Sequence, residues 1–525
     1  MSLPGYATTA ATRAHQQRLA TEWAPDAFRR LGRTELWVSK VGVGTFHYHL
    51  ESEANRQALE KALQQGINLI DTAAIYGGGT AESLIGEVLT RQVVWEGLSR
   101  EQVVVMSKVG YVQGEIREQA LERERQKRPF KDLLKYTPDL WYCLHPRFLE
   151  DQIPRTLARL HLDTLDVYLL HSPEYFFLGT QGDSPQQLAE HRKAFYQRLH
   201  DAFLALEKMV QDNLIRYYGI SSNGLVNDPQ SYNFIDLGEV WRVYEQVCLE
   251  RHITPEEGHF AVIEFPLNVI EHRAVTEAAH TFQGRRYPLL ELARRLDLGV
   301  VVNRPLHAIW GQMMIRLADY DHPELARLQE QVRHFLTNFR EIETHLLQLL
   351  EKVYPRSRSQ EKDEMREVFS LSASLEVLAN EVTNPLAVVQ QIQQVYLPRI
   401  QEATRRLFLS AGPRQVNKLR DYLDAYLAHL QKLMPAIVKY LTARNRDRVA
   451  PLNELFGQHV PDAQPLNMAE KALLFAASAP GVAAALNSMN RPEYVDHAIR
   501  VLKHRMDIPR EMFAEIQNLF PLSTH

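Results

Sequence analysis

Four residues of this 525-residue chain stand where chemistry is unexpected. Asp71 closes the apolar run INLIDT, Lys108 closes QVVVMSK, His171 closes LDVYLLH, and Tyr76 lies five positions beyond Asp71. A buried lysine or aspartate is costly unless paired. Taken singly, Asp71 and Lys108 are expected to form a structural ion pair at one end of a sheet, with His171 capping a loop. Taken together, the four types suit proton and hydride exchange. A phenol has an ordinary pKa of about 10, too high for easy proton exchange near neutrality. An adjacent ammonium is expected to lower it, and a carboxylate keeps that ammonium charged and oriented. An imidazole beside them can donate a hydrogen bond to an oxygen on which charge develops. This combination fits reduction of a carbonyl or oxidation of an alcohol.

The elements that would position these groups follow a strand–helix rhythm. Strand-like runs occupy Lys40–Thr45, Ile67–Thr72, Gln102–Lys108, Leu165–His171, Arg216–Ser222, Phe260–Pro266 and Gly299–Pro305. Most are apolar on both faces, as expected of parallel strands covered on two sides. Amphipathic stretches separate them. In ANRQALEKALQQG, Ala58, Leu59, Ala62 and Leu63 share a face and Gly66 follows as the C′ residue. Pro154 within FLEDQIPRTLARL predicts a helix that starts there or is kinked.

After the seventh run the pattern changes. From Asp321 to Arg448 Gly412 stands alone among glycines, and long Leu/Glu/Gln/Arg-rich helical patterns take over. The rhythm resumes with the helix MAEKALLFAAS, an eighth strand in GVAAALNS (Gly481–Ser488) and the helix RPEYVDHAIRVLKH. The expected fold is α/β, a (β/α)₈ TIM barrel with an all-α insertion after strand seven. Its expected parts are an N-terminal extension (1–28), the barrel (29–315 plus 465–525) and the helical insertion (316–464). The insertion is expected over the active-site face as a lid, with an independent helical domain as the alternative. RSRSQEK (Arg356–Lys362) is expected to be a solvated loop.

Composition narrows the function. Sixty Lys+Arg against 64 Asp+Glu give a formal charge of −4, so nothing favours nucleic acid or anionic lipid as a partner. Two cysteines, Cys143 and Cys248, cannot staple a chain of this size; buried thiols and a reducing compartment are expected. The N-terminus lacks the apolar core of a signal peptide, and no run reaches the ~18–20 apolar residues of a membrane span. A cytoplasmic enzyme is the expectation. With no H-E-x-x-H and no C-x-x-C, no metal site is expected. His47, His49, Trp141, Tyr142 and Trp310 are open between lining a pocket and ordinary packing.

DTAAIYGGGTAESLIGEVL (Asp71–Leu89) resembles the signature of the aldo-keto reductase family. RLGRTELWVSKVGVGTF, VVVMSKVG, LHLDTLDVYLLHSPE, ALEKMVQDNLIRYYGISSNG, FPLNVIEHRA and GVAAALNSMNRPEYVDHA follow in the family's order, so the likeness covers roughly 29–310 and 465–505. The resemblance implies an oxidoreductase acting on a small-molecule carbonyl or alcohol, an aldehyde, ketone or sugar. Its catalytic residues would be Asp71, Tyr76, Lys108 and His171. It implies a nicotinamide cofactor stretched across the barrel mouth without a Rossmann domain, NADP by family habit, with NAD as the alternative. Thr45 and Phe46 would line the nicotinamide, beside Asp71. Ser221 and Ser222 stand where the family has Ser-Asn at the carboxamide, Glu264 where it has Gln, and Asn303 where it often has Tyr. Asn487, Ser488, Asn490, Arg491 and Glu493 would hold the adenosine phosphates; Asn490 replaces the usual basic residue, leaving Arg491 for a 2′-phosphate. The departures at Glu264, Asn303 and Asn490 motivate a second reading, a weakly catalytic barrel acting as a cofactor-binding redox sensor or regulatory protein that docks a protein partner through its insertion. A sugar dehydrogenase running in the oxidative direction would use the same groups. The substrate and the purpose of the helices stay open.

Overall fold

In the computed structural model, residues 2–137, 140–311, 313–318, 325–353, 359–381, 388–389, 391–410 and 413–521 are described. Eight parallel strands close into a barrel: β1 (Val41–Gly44), β2 (Leu69–Asp71), β3 (Val104–Val109), β4 (Leu165–His171), β5 (Ile215–Ser221), β6 (Phe260–Pro266), β7 (Gly299–Asn303) and β8 (Ala484–Asn487). Each pairs with its neighbours in chain order, and β8 pairs with β1 to complete the ring. Most strand residues are buried and apolar, as in Val104–Met106 and Phe260–Ile263, with polar residues at the strands' C-terminal ends and at a few other positions such as Asp166 and Arg216.

The pleat explains where those ends point. Side chains two apart share a face. Leu69, Val104, Met106, Val167 and Leu169 belong to one buried apolar cluster. Two residues beyond them on the same faces come Asp71, Lys108 and His171. The barrel interior thus holds an apolar stack with a charged and polar layer at its C-terminal rim.

The other end of the stack is closed by a hairpin, Phe28–Arg30 paired antiparallel with Trp37–Ser39, whose Leu31, Leu36 and Val38 join the same cluster. The segment before the hairpin packs on the barrel through Asp166 of β4. Its Oδ1 accepts from the Ala7 N–H at 2.6 Å; its Oδ2 accepts from the Val105 N–H at 2.7 Å and from Arg100 Nη2 at 2.8 Å.

Helices flank the strands as the periodicity requires. In Glu53–Gln64, Ala58, Leu59, Ala62 and Leu63 are buried, and Gly66 follows with φ 104°, where a Cβ would meet Leu19 at 2.4 Å. Pro154 neither starts nor divides its helix, which runs Pro146–Leu160 from a His145 N-cap. Short antiparallel pieces absent from the sequence reading sit in the loops: a three-stranded sheet (Tyr111–Val112, Leu134–Thr137, Leu140–Tyr142) after β3 and a hairpin (His280–Phe282, Arg285–Tyr287) after β6.

The chain divides into two compact units, residues 1–306 with 456–525, and His307–Leu455. The second unit opens with a hairpin, His307–Trp310 against Met313–Arg316, and continues in helices Leu325–Val353, Ser359–Phe369, Ser372–Glu381, Leu397–Ser410 and Pro413–His459. This unit spans His307–Leu455, against the 316–464 expected from the loss of glycine, the end of the strand-like runs and the onset of helical patterns. Asn445 holds the hairpin from both sides, accepting from the Arg316 N–H at 3.0 Å and donating to its carbonyl at 2.7 Å. The helices share a core of their own in which Tyr426 packs against Phe339 and Phe369. Of the stretch expected to be a solvated loop, Ser359–Lys362 begins a helix; Arg356–Arg358 lie outside the described residues.

Removing the Asp166 carboxylate strands a buried guanidinium and two backbone N–H groups. Asp166→Ala is expected to cost the barrel about 3–5 kcal/mol, the usual penalty for orphaning a buried charge, read as a fall in the midpoint of urea unfolding. An unchanged midpoint would show that Arg100 is satisfied by its carbonyl contacts alone.

Candidate active site

Strand register assembles the rim. Gly44 is level with Asp71, His171 with Ser221, Ser221 with Glu264, and Pro266 with Asn303. Asp71, Lys108, His171, Ser221, Glu264, Asn303 and Asn487 therefore all project from the same end of the barrel.

Lys108 is the centre of this layer. Its Nζ donates to Asp71 Oδ1 and Oδ2 at 2.5 Å each and to the Thr72 carbonyl at 3.3 Å. A second carboxylate, Glu264 Oε2, lies 3.3 Å from the same nitrogen. Asp71, Lys108 and Glu264 are 3%, 1% and 2% exposed. Burial and Glu264 push the Asp71 carboxyl well above its ordinary range, against the pull of Lys108. Burial pulls the Lys108 ammonium down, but Asp71, Glu264 and Tyr76 together hold it above its ordinary value.

Tyr76 is half-buried and begins a short turn, Tyr76–Gly79. Gly77 has φ 56° and an added Cβ would lie 2.6 Å from the Tyr48 carbonyl, so glycine is needed for the chain to double back there. The Lys108 ammonium stands 5.4 Å from the centre of the Tyr76 ring, and the Phe46 and His171 rings meet it edge-on at 5.2 and 6.0 Å. The expected fall in the phenol's pKa is not what results. Burial raises it more than Lys108 lowers it, and Asp71 and Glu264 add to the rise, so Tyr76 stays protonated. His171 is held well below its ordinary value by burial and then by Lys108, so it is neutral and able to donate.

An aromatic wall continues from His171. The Tyr111 ring meets that of His171 at 4.8 Å, the Tyr175 ring meets that of Tyr111 at 5.0 Å, and the Tyr142 hydroxyl donates to the His171 carbonyl at 2.9 Å. Of these, the sequence singled out only Tyr142, and left it open between pocket and packing. Trp141 packs under Lys135 at 4.1 Å, His47 and His49 are exposed beside Tyr76's neighbours, and Trp310 lies in the second unit's hairpin. Cys143 and Cys248 are buried thiols.

The remaining expected binding residues divide into two groups. Around β5–β7 they are engaged with one another. Asn303 Nδ2 donates to Glu264 Oε1 at 2.8 Å, and the Ser222 hydroxyl donates to Glu174 Oε2 at 2.6 Å. Glu174 also accepts from Asn223 through backbone and side chain. This buried carboxylate was missed, since nothing in HSPEY marks it. Thr45 donates to the Asp71 carbonyl at 2.9 Å, and Phe46 is 62% exposed at the mouth. Beyond β8 the picture differs. Ser488 Oγ is buried with no partner, and Asn490, Arg491 and Glu493 follow at the start of helix Pro492–Leu502, Arg491 exposed. Asn487 is half-buried at the end of β8, and the turn after it is tied to β1's side by Tyr48 Oη to the Met489 carbonyl and Asn55 Nδ2 to the Asn490 carbonyl.

Comparison with known proteins gives a family match over residues 40–241, to the Aldo/keto reductase family. An uncharacterized oxidoreductase, YqkF, of Bacillus subtilis (strain 168) is 26% identical over 195 residues, 37% of this chain and 48% of that protein. The NADH-specific methylglyoxal reductase of Escherichia coli (strain K12) is 29% identical over 152 residues, 27% and 40% of the two chains. Aldo-keto reductase family 1 member A1 of Sus scrofa is 31% identical over 186 residues, 35% and 45%. The matches thus span less than half the length of each of these relatives. Among solved structures, an aldo/keto reductase from Klebsiella pneumoniae in complex with NADP and acetate aligns at TM-score 0.42 and 17% identity over 95% of this chain and 97% of that one. The glycerol dehydrogenase of Gluconobacter oxydans aligns at 0.45 and 14%, over 96% and 99%.

The depressed His171 pKa has a direct readout. Its ring should titrate well below the ordinary imidazole midpoint of about 6.5, in ¹⁵N spectra of histidine-labelled protein assigned with His171→Gln. A midpoint near the ordinary value would mean that burial and Lys108 do not govern the ring.

Proposed function

We propose that this chain, whose barrel belongs to the aldo-keto reductase family, reduces the carbonyl of a small aldehyde, ketone or sugar with NADPH. One observation carries the reading: a phenol, an ammonium, a carboxylate and an imidazole from separate strands and loops share one rim above an apolar stack. When bound, the nicotinamide supplies the hydride. The protonated Tyr76 gives its proton to the carbonyl oxygen as charge develops there, helped by the Lys108 ammonium, whose charge favours the phenolate against the effect of burial. His171, neutral and beside Tyr76, donates a hydrogen bond to the same oxygen. Lys108 stabilises the phenolate left behind, and Asp71 fixes Lys108 through both of its oxygens.

The rim beyond β8 suits the cofactor's phosphates. An unpartnered buried hydroxyl at Ser488, an exposed guanidinium at Arg491 and an 11-residue helix starting at Pro492 offer donors and a favourable dipole to an anion. We assign Ser488, Asn490 and Arg491 to the adenosine phosphates, with Arg491 on the 2′-phosphate, and Asn487 and Glu493 to the flanks. At the nicotinamide end, Thr45, Phe46 and Ser221 remain the assigned contacts. Ser222, Glu264 and Asn303 reach the carboxamide only by exchanging partners they already hold.

The reading is tested by adding NADPH and a panel of aldehydes, ketones and sugars to the pure protein. NADPH should be consumed, and Tyr76→Phe should lower kcat by about 10²–10⁴-fold, the share of a general acid. Cofactor binding without turnover of any carbonyl, or full activity in Tyr76→Phe, would overturn it. Arg491→Ala should weaken NADPH binding about tenfold or more, the worth of a charge-assisted contact, and leave NADH binding unchanged in fluorescence titrations. Equal losses for both cofactors would remove Arg491 from the 2′-phosphate.

A further inference from the structure

Lys108 has two carboxylate partners where an orienting role requires one. Asp71 comes from the adjacent strand β2; Glu264 comes from β6, three strands further round the barrel, so its contact spans the lumen. Glu264 is held in place for this. Its Oε1 accepts from Asn303 Nδ2 at 2.8 Å, and its backbone carbonyl accepts from the Ser222 N–H at 2.9 Å. Its Oε2 has no hydrogen bond and faces the ammonium at 3.3 Å.

Two acids and one base are therefore enclosed together, each at most 3% exposed. Burial disfavours an unbalanced charge. One ammonium already faces two carboxyl groups, and ionising Tyr76 would place a further negative group beside them. The other groups facing the phenol do not offset this. His171, from β4, is neutral, and Phe46 carries no charge; His47 is exposed and its ring meets that of Phe46.

We propose that Glu264 is a positioning residue which, by facing Lys108 across the lumen, offsets the ammonium's pull on the Tyr76 phenol and so sets how far above neutrality that phenol ionises. The site is thereby set to give a proton to a carbonyl oxygen and accepts one from an alcohol only in alkaline solution. The inference rests on the reading of Tyr76 as the proton donor and gives that reading a pH dependence. Glu264→Gln keeps the side-chain volume and an oxygen for Asn303 but removes the second negative charge.

The test follows Tyr76 in the full chain without cofactor, by ¹³C resonance of Cζ-labelled tyrosines, the signal assigned by its loss in Tyr76→Phe. In the parent, Tyr76 should stay protonated to at least pH 10, roughly the ordinary phenol midpoint. In Glu264→Gln it should ionise about one unit or more lower, the usual effect of one nearby charge. Glu264→Asp, which keeps the charge at shorter reach, should fall between them; if the Gln variant fails to fold, the parent-to-Asp difference carries the test. With cofactor and substrate, the alkaline fall of kcat/KM for reduction and the alkaline rise for alcohol oxidation should both move down by the same amount in Glu264→Gln. A shared midpoint in parent and variants, or a loss of rate with unmoved pH limbs, would overturn the proposal. The resonance titration needs no turnover, so an inactive protein would sink the reductase reading while this measurement still decides the role of Glu264.

Discussion

A lysine ammonium inside an apolar barrel is tolerable only if its charge is answered on the spot. Lys108 sits directly above Val104 and Met106 on the same strand face, with no polar layer beneath it. Its two carboxylate neighbours come from opposite parts of the ring, so their approach depends on the closure of all eight strands in register. The protonation states of Tyr76 and His171 are consequences of this arrangement. The phenol is kept as an acid by burial and surplus negative charge, and the imidazole is kept neutral by burial and the adjacent ammonium.

Much of this was legible from residue order alone. A strand covered on two faces must be apolar throughout, so a lone Asp, Lys or His closing such a run is conspicuous, and Asp71, Lys108 and His171 stand out for that reason. What was not legible depends on distances across the fold. The Glu264–Lys108 pair crosses the lumen, and no spacing in sequence reports that. Lys108 does pull the Tyr76 pKa down, as a neighbouring charge implies, but burial, which no spacing in sequence reports, outweighs it. Glu174, which accepts from the Ser222 hydroxyl, directly follows Pro173 in a stretch with no periodicity. The small sheets after β3 and β6 have strands of two to four residues, too short for alternation to appear.

The unit His307–Leu455 shows the same contrast. Helical spacing of Leu, Phe and Tyr over many turns announced its helices, and those residues do form its core. Its opening hairpin carries too few residues to be recognised, although Asn445 binds it closely from far along the chain. A polar amide that satisfies both backbone groups of Arg316 does the work of a neighbouring strand at that point. Glu343 acts similarly, accepting from the Ser372 N–H and hydroxyl at a helix start.

The late arrival of the last stave has a kinetic consequence. β7 ends at Asn303 and β8 begins only at Ala484, with a self-cored unit between them. During synthesis, seven parallel strands are complete while β1 and β7 still expose unpaired backbone, a condition that invites intermolecular pairing. Ring closure is therefore a long-range event, slowed by the entropy of a distant partner. Prompt collapse of the intervening helices would shorten the effective tether and hasten it. On this view the insertion, whatever else it does, influences how safely the nascent chain reaches its native state.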